Sequence, residues 1–170
     1  MKIRLLLPAL MFVTEVAYGG RFDLPKENPQ FSIQMPENWE TAVEGDNVTS
    51  RPAKDSKVML SVFPVPAAKN LEDAFAIVLK QASATYRDVK LGKLSEQKQA
   101  GVTFFGGQGE AEKDGFELRL SVAAFSADGH RYFGLVWAAD EVSGDIHTKE
   151  IDKALASLQA FKEPPPKTAK

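Results

Sequence analysis

The sequence predicts an α+β fold: an α/β/α sandwich in which a central, mostly antiparallel sheet is flanked by helices. Three observations carry the prediction. Asp114-Gly115 and Asp128-Gly129 join apolar-rich runs in the manner of tight hairpins. The runs 116–125 and 131–138 place apolar residues on both faces, which requires cover on both. The segments 71–86 and 151–161 repeat apolar residues at helical spacing and can supply that cover.

Taken in order, residues 1–19 read as a secretory signal peptide. Lys2 and Arg4 form a basic start, Leu5 to Val13 are uncharged and almost all apolar, and Ala17-Tyr18-Gly19 places small residues where a signal peptidase reads them. Cleavage is expected after Gly19, removing two positive charges and one negative. The apolar run is shorter than the ~20 residues of a bilayer-spanning helix. Residues 20–163 are then expected to form one domain, and 164–170, opened by Pro164-Pro165-Pro166, a disordered tail.

Within the domain, residues 20–30 read as an irregular lead-in rich in Pro, Asn and charge. Phe31 to Met35 alternates apolar and polar residues as a half-buried strand stopped by Pro36, with Glu37-Asn38-Trp39 as a turn pinned to the core by the indole. Asn47 to Ser50 is a short strand. Lys57 to Val65 is a stronger one, with Val58, Leu60 and Val62 on one face and Met59, Phe63 and Val65 on the other; Pro64 and Pro66 put its end at an edge or outside the sheet. Asn70 caps a helix whose apolar stripe is Leu71, Ala74, Phe75, Val78, Leu79, Ala82 and Tyr86. After an extended stretch at 88–91, strands follow at 94–99, 102–112, 116–126 and 130–138 as a meander, the polar 94–99 at an edge. Gly144 and Asp145 introduce the last helix, with its stripe at Ile151, Ala154, Leu155, Leu158 and Phe161.

Composition excludes several function classes. The 170 residues contain no cysteine, which removes cysteine nucleophiles, disulfides, Cys-ligated zinc and a Cys-anchored lipid. With 21 basic and 23 acidic residues, and no basic stripe, the chain lacks the electrostatic footprint of a nucleic-acid binder. No phosphate-binding loop, dinucleotide fingerprint, zinc-protease helix or nucleophile elbow occurs, so no cofactor and no catalytic residue is assigned. His130 and His147 are the two histidines and have no carboxylates at metal-ligand spacing, so no metal site is assigned either; His147 with Glu150 reads as a surface pair. Glu110 and Glu112 share a strand face and read as solvated carboxylates. Gly106-Gly107-Gln108-Gly109 leads into strand and not helix, so it lacks a phosphate cradle; it marks a bulged or twisted strand, or a place where a partner approaches the backbone.

Aromatic residues crowd the strands from Phe104 to Trp137, most of them as core. Two-sided apolarity leaves room for a groove between sheet and helix. Its candidate lining is Arg119, Tyr132 and Trp137, with Trp39 and Tyr86 as further candidates.

The order of these features, from F-S-I-Q-M-P-E-N-W at 31–39 to A-S-L-Q-A-F at 156–161, resembles the Mog1/PsbP/DcrB-like superfamily over residues 31–161. The resemblance implies an antiparallel sheet between helices and no common chemistry. Members include a photosystem extrinsic subunit, a Ran-binding protein and bacterial envelope proteins and lipoproteins. No metal-binding or GTPase-binding position of those members finds a match here, and the lipobox cysteine is absent. The sequence therefore leads to an exported, non-catalytic protein that binds an envelope protein or a small ligand in the bacterial periplasm, without a lipid anchor or a membrane span in the mature chain. The alternatives are a secreted effector or accessory factor of a secretion or envelope system, acting outside the cell, and a hydrolase with a non-motif active site.

Overall fold

Alternation of apolar residues along ten strands, interrupted twice by helical periodicity, produces one antiparallel sheet. The computed structural model describes residues 15–161. The strands are β1 (Glu15–Leu24), β2 (Phe31–Glu44), β3 (Asn47–Pro52), β4 (Met59–Pro64), β5 (Arg87–Leu91), β6 (Ser95–Gln99), β7 (Val102–Lys113), β8 (Phe116–Ser126), β9 (Phe133–Ala139) and β10 (Gln159–Ala160). Helix α1 (Leu71–Thr85) follows β4, and α2 (Glu141–Ala156) follows β9. The strand order is β1-β2-β3-β4-β9-β8-β7-β5, with β10 added to β2 and β6 to β7.

Strand alternation sorts the core into two clusters on opposite faces. On one, Leu60, Val62, Phe133 and Leu135 join Ile151, Ala154 and Leu158 at and just beyond α2. On the other, Leu120, Val122, Val136 and Ala138 join Ala74, Phe75, Val78 and Ala82 of α1. Each face thus carries one helix across part of its width. The α2 face holds the aromatic centre: Phe31 meets Phe125 at 4.9 Å and Phe133 at 4.8 Å, both edge to face.

The helices begin where side chains satisfy their first free N–H groups. Asn70 accepts from the Asp73 backbone at 2.8 Å, and the Asp73 carboxylate accepts from the Lys69 backbone at 3.0 Å. Asp140 accepts from the Ser143 backbone at 2.8 Å, so α2 starts at Glu141 and not at Gly144 as the sequence suggested. Gly144 lies inside the first turn and faces Ala139, at a spacing that leaves ordinary contact room.

Other departures have equally local causes. Residues 20–24, expected to be irregular, continue β1, and residues 15–19 of the expected leader also pair with β2. The remaining leader residues, 1–14, and the tail 162–170 lie outside the described residues. Pro36 does not stop β2. Between Met35 and Glu40 the ladder to β1 shifts register, and from Pro36 to Asn38 neither β3 nor β10 pairs. Pro36 therefore sits where no ladder N–H is needed. Across the bulge, Gly19 has φ +45°, and a side chain on it would collide with the Glu37 backbone. Trp39 is buried as expected. The strand expected from His130 starts at Phe133, because the Asp128 carboxylate accepts from both the His130 and Arg131 backbones at 2.8 Å and holds a loop. Of the two outcomes expected at Pro64 and Pro66, the chain takes the second: β4 is central, between β3 and β9, and the chain leaves the sheet after Pro64.

Candidate functional site

The glycine cluster explains a broad hollow on the sheet. Strand β7 pairs with β6 from Val102 to Gly106, then with β5 from Gly109 to Glu112. The segment joining β5 to β6 crosses between them, and the Gly92 N–H donates to the Gln108 carbonyl at 2.8 Å. A side chain at Gly109 would occupy the space of the Lys90 carbonyl, and one at Gly107 would meet Leu94. The partner that approaches this backbone is the chain's own β5–β6 segment.

On the α2 face this exchange leaves an open trough of about 540 Å³. Its floor is low because Gly106, Ser121 and Ala123 are small, and adjacent ladder positions hold Phe104 and Leu135. Leu155 of α2 forms one wall. Ser95, Gln97 and Gln99 of β6 form the other. Gln99 reaches across, its Nε2 donating to the Leu155 carbonyl at 3.1 Å. Gln108 adds a further amide, and Lys93 is the one charged residue of the lining. The site offers neutral donors and acceptors over an apolar floor. It has no histidine or carboxylate placed to move a proton.

The sequence-selected residues are distributed across both faces. Trp39 and Trp137 belong to the α2 face; the indole N–H of each is buried without a hydrogen-bond partner among the described residues. Trp137 stands in register with Ser121 of the trough floor. Arg119 lies on the same face beyond the trough, bound to Asp145 at 2.9 Å and within 3.7 Å of Glu141. Tyr86 and Tyr132 pack on the α1 side. The Tyr132 hydroxyl donates to the Gly129 carbonyl at 2.8 Å and fastens the 127–132 loop. These five residues do not share one groove. Of the trough's own residues, the cluster from Gly106 to Gly109 gave a local signal; Ser95, Gln97, Gln99 and Ser121 gave none, because they come together only through the ladders of β7 with β6 and β8.

The remaining chemical candidates lie beside polar or charged neighbours. His147 Nδ1 is 2.6 Å from Glu150 Oε2, its Nε2 is 3.9 Å from Asp55 Oδ2, and its ring meets Trp39 edge to face at 5.6 Å. Glu112 pairs with Arg87 at 2.6 Å, and Glu110 stands in register between Lys90 and Arg119. Among the described residues no group of three His, Asp or Glu side chains gathers to hold a metal ion.

With this geometry, the chain is similar to several solved structures. The solution structure of the cyanobacterial PsbP protein CyanoP from Synechocystis sp. PCC 6803 superimposes with a TM-score of 0.59 at 16% identity, covering 92% of this chain and 99% of that one. The fold is PsbP-like. This agrees with the resemblance to the Mog1/PsbP/DcrB-like proteins that the order of features implied. LpqN, involved in cell envelope biogenesis of Mycobacterium tuberculosis, matches with a TM-score of 0.52 at 10% identity, covering 85% of this chain and 92% of LpqN. A Bacteroides thetaiotaomicron protein matches with a TM-score of 0.56 at 17% identity over 86% of this chain, which spans only 50% of that longer one. No protein-family model and no curated protein matches the sequence. Among the described residues, no helix is long and apolar enough to cross a membrane.

Proposed function

We propose that this PsbP-like chain is a non-catalytic binding protein of the cell envelope, built on an α/β/α layout, whose trough holds a small neutral ligand bearing hydroxyl or amide groups. The observation that carries this reading is the small-residue floor of Gly106, Ser121 and Ala123 between amide and aliphatic walls. A neutral polar ligand would exchange hydrogen bonds with Gln97, Gln108 and Ser121 while laying its apolar surface near Phe104 and Leu155. The envelope setting is supported by the leader pattern of residues 1–19 and by the involvement of LpqN in cell envelope biogenesis.

The test is an NMR titration with two neutral probes, chitobiose and N-acetyl-triglycine amide. At least one is expected to shift the Gln97, Gln108 and Ser121 resonances saturably, and Ala123→Trp, which fills the trough, abolishes the effect. Shifts confined to other parts of the sheet, or retained in Ala123→Trp, reject the trough as the site. N-terminal sequencing of the native protein is expected to begin at Gly20; an intact leader would refute export.

A further inference from the structure

A second hollow, of about 490 Å³, lies on the α1 face where α1 ends and the sheet continues uncovered. Its chemistry is the opposite of the trough's. Arg51 of β3, Lys57 before β4 and Lys113 of β7 bring three cations to it, against the single carboxylate of Asp114. Lys57 is already engaged: its Nζ is 2.9 Å from Asp140 and lies 4.4 Å from the centroid of the Phe116 ring. Arg51 and Lys113 have no carboxylate within 4 Å among the described residues, and both are exposed at the rim. The Lys113 ammonium lies 5.6 Å from the centroid of the Tyr86 ring.

Tyr86 is the decisive residue. It closes the C-terminus of α1, its backbone N–H donating to the Ala82 carbonyl at 2.8 Å, and only 4% of its surface is exposed. It lines the cleft, yet its hydroxyl has no hydrogen-bond partner among the described residues. Burial pushes the phenol above its ordinary value, so it keeps its proton and remains a donor. The ring is buried while the hydroxyl opens to the cleft, so the donor is free for whatever enters there. Beneath, Met59, Leu118 and Ala138 form an apolar floor, and Phe116 stands 48% exposed as one wall.

We infer that this cleft binds a small organic anion, a carboxylate or phosphate monoester on an apolar body. The anionic oxygens take the Tyr86 hydroxyl and the charges of Arg51 and Lys113, and the body lies against Phe116 and Met59. Two free cations around one fixed hydroxyl donor select the negative charge, and the exposed aromatic wall selects an organic bearer over a bare ion.

Calorimetric titration at low salt with phenyl phosphate, benzoate, inorganic phosphate and phenyl β-glucoside tests this. Phenyl phosphate or benzoate is expected to bind saturably, and the tighter of the two identifies the head group. Inorganic phosphate binds about tenfold more weakly for want of apolar contact. The neutral glucoside does not bind in the cleft; any heat it gives belongs to the trough and disappears in Ala123→Trp. Arg51→Gln and Lys113→Gln each weaken the organic anion about tenfold. Tyr86→Phe, which keeps the packing, weakens it roughly three- to tenfold through one lost hydrogen bond. Affinity for the neutral glucoside that survives Ala123→Trp and equals that of the organic anion, equal affinity for inorganic phosphate, no binding of either organic anion, or binding indifferent to Arg51→Gln and Tyr86→Phe would each overturn the assignment. Arg51 and Lys113 are exposed, so their variants fold, and failure here leaves the trough untouched.

Discussion

Along β8 the two faces of the sheet diverge residue by residue. Phe116, Leu118, Leu120, Val122 and Ala124 point to the α1 face and are apolar from end to end. Glu117, Arg119, Ser121, Ala123 and Phe125 point to the α2 face and grade from charged, through small, to aromatic. The uniform row is covered by α1, and its last member, Phe116, is left exposed where the helix stops, as a wall of the cationic cleft. The graded row is covered by other elements only at its ends: Phe125 packs in the aromatic centre, and Arg119 pairs with residues of the α2 N-terminus. Its small middle becomes the trough. One strand therefore builds two unlike hollows, one by helix length and the other by side-chain size.

The sharpest way to break this comparison is to truncate the strand on each side. Phe125 is fully buried and touches Phe31, Phe104 and Phe133 within 5.6 Å centroid to centroid. Phe125→Ala is expected to cost about 4 kcal/mol, and Leu120→Ala on the α1 face about 3 kcal/mol. Urea denaturation gives both values. If Leu120→Ala proved clearly the costlier, the aromatic centre would not be the principal anchor of the sheet.

These faces were legible because strand alternation is a local property. The parity of 116–125, the two-sided 57–65 strand, the Asn70 cap and the burial of Trp39 all follow from residues within a few positions of one another. What stayed hidden depends on distant pairing. Pro36 passes through β2 only because β1, β3 and β10 all leave that point unpaired. The glycine cluster at 106–109 reads as a bulge until β5 and β6 are seen sharing one edge of β7. Both hollows arise the same way. Ser95 is brought into line with Ala123 by the two ladders that meet at Gly106, and Arg51 and Tyr86 line one cleft from distant parts of the chain, so no spacing in the sequence announces either. Tyr86 was found as an aromatic at helical period, but its unpaired hydroxyl belongs to tertiary structure.

A smaller effect sharpens the link between the faces. Asp140 caps α2 on one side and holds Lys57, a residue of the cleft, on the other. The Lys57 ammonium and the Ser143 hydrogen bonds lower the Asp140 carboxyl from 3.8 to about 2. A carboxyl depressed by folding adds stability that is complete above its unfolded value and is lost as pH falls through its folded one. The contribution is therefore present at neutrality and disappears between about pH 4 and pH 2. Asp140→Asn keeps a good cap but removes the charge. Because the Lys57 side chain is 41% exposed, the expected cost at pH 7 is only about 1 kcal/mol. The acid limb of the stability curve should flatten in the same variant. An unchanged limb would mean that Lys57 and Asp140 do not couple the two faces.

The smallest effect is expected at Arg119, the charged end of the graded row. Its guanidinium reaches Asp145 at 2.9 Å and Glu141 at 3.7 Å, so geometry alone suggests a clamp between β8 and α2. Exposure argues otherwise: 45% of the Arg119 side chain, 67% of Asp145 and 83% of Glu141 face solvent. Water screens such pairs, and ordering three long side chains opposes the Coulomb gain. The two acids also lie near the positive end of the α2 dipole, which favours them without Arg119. Arg119→Gln should therefore change stability by no more than about 0.5 kcal/mol, and less at high salt. A loss above about 1.5 kcal/mol would place Arg119 with Phe125 as an anchor of the α2 face. The small middle of β8 would then lie between two structural fixtures, and the trough would be a gap held open from both ends.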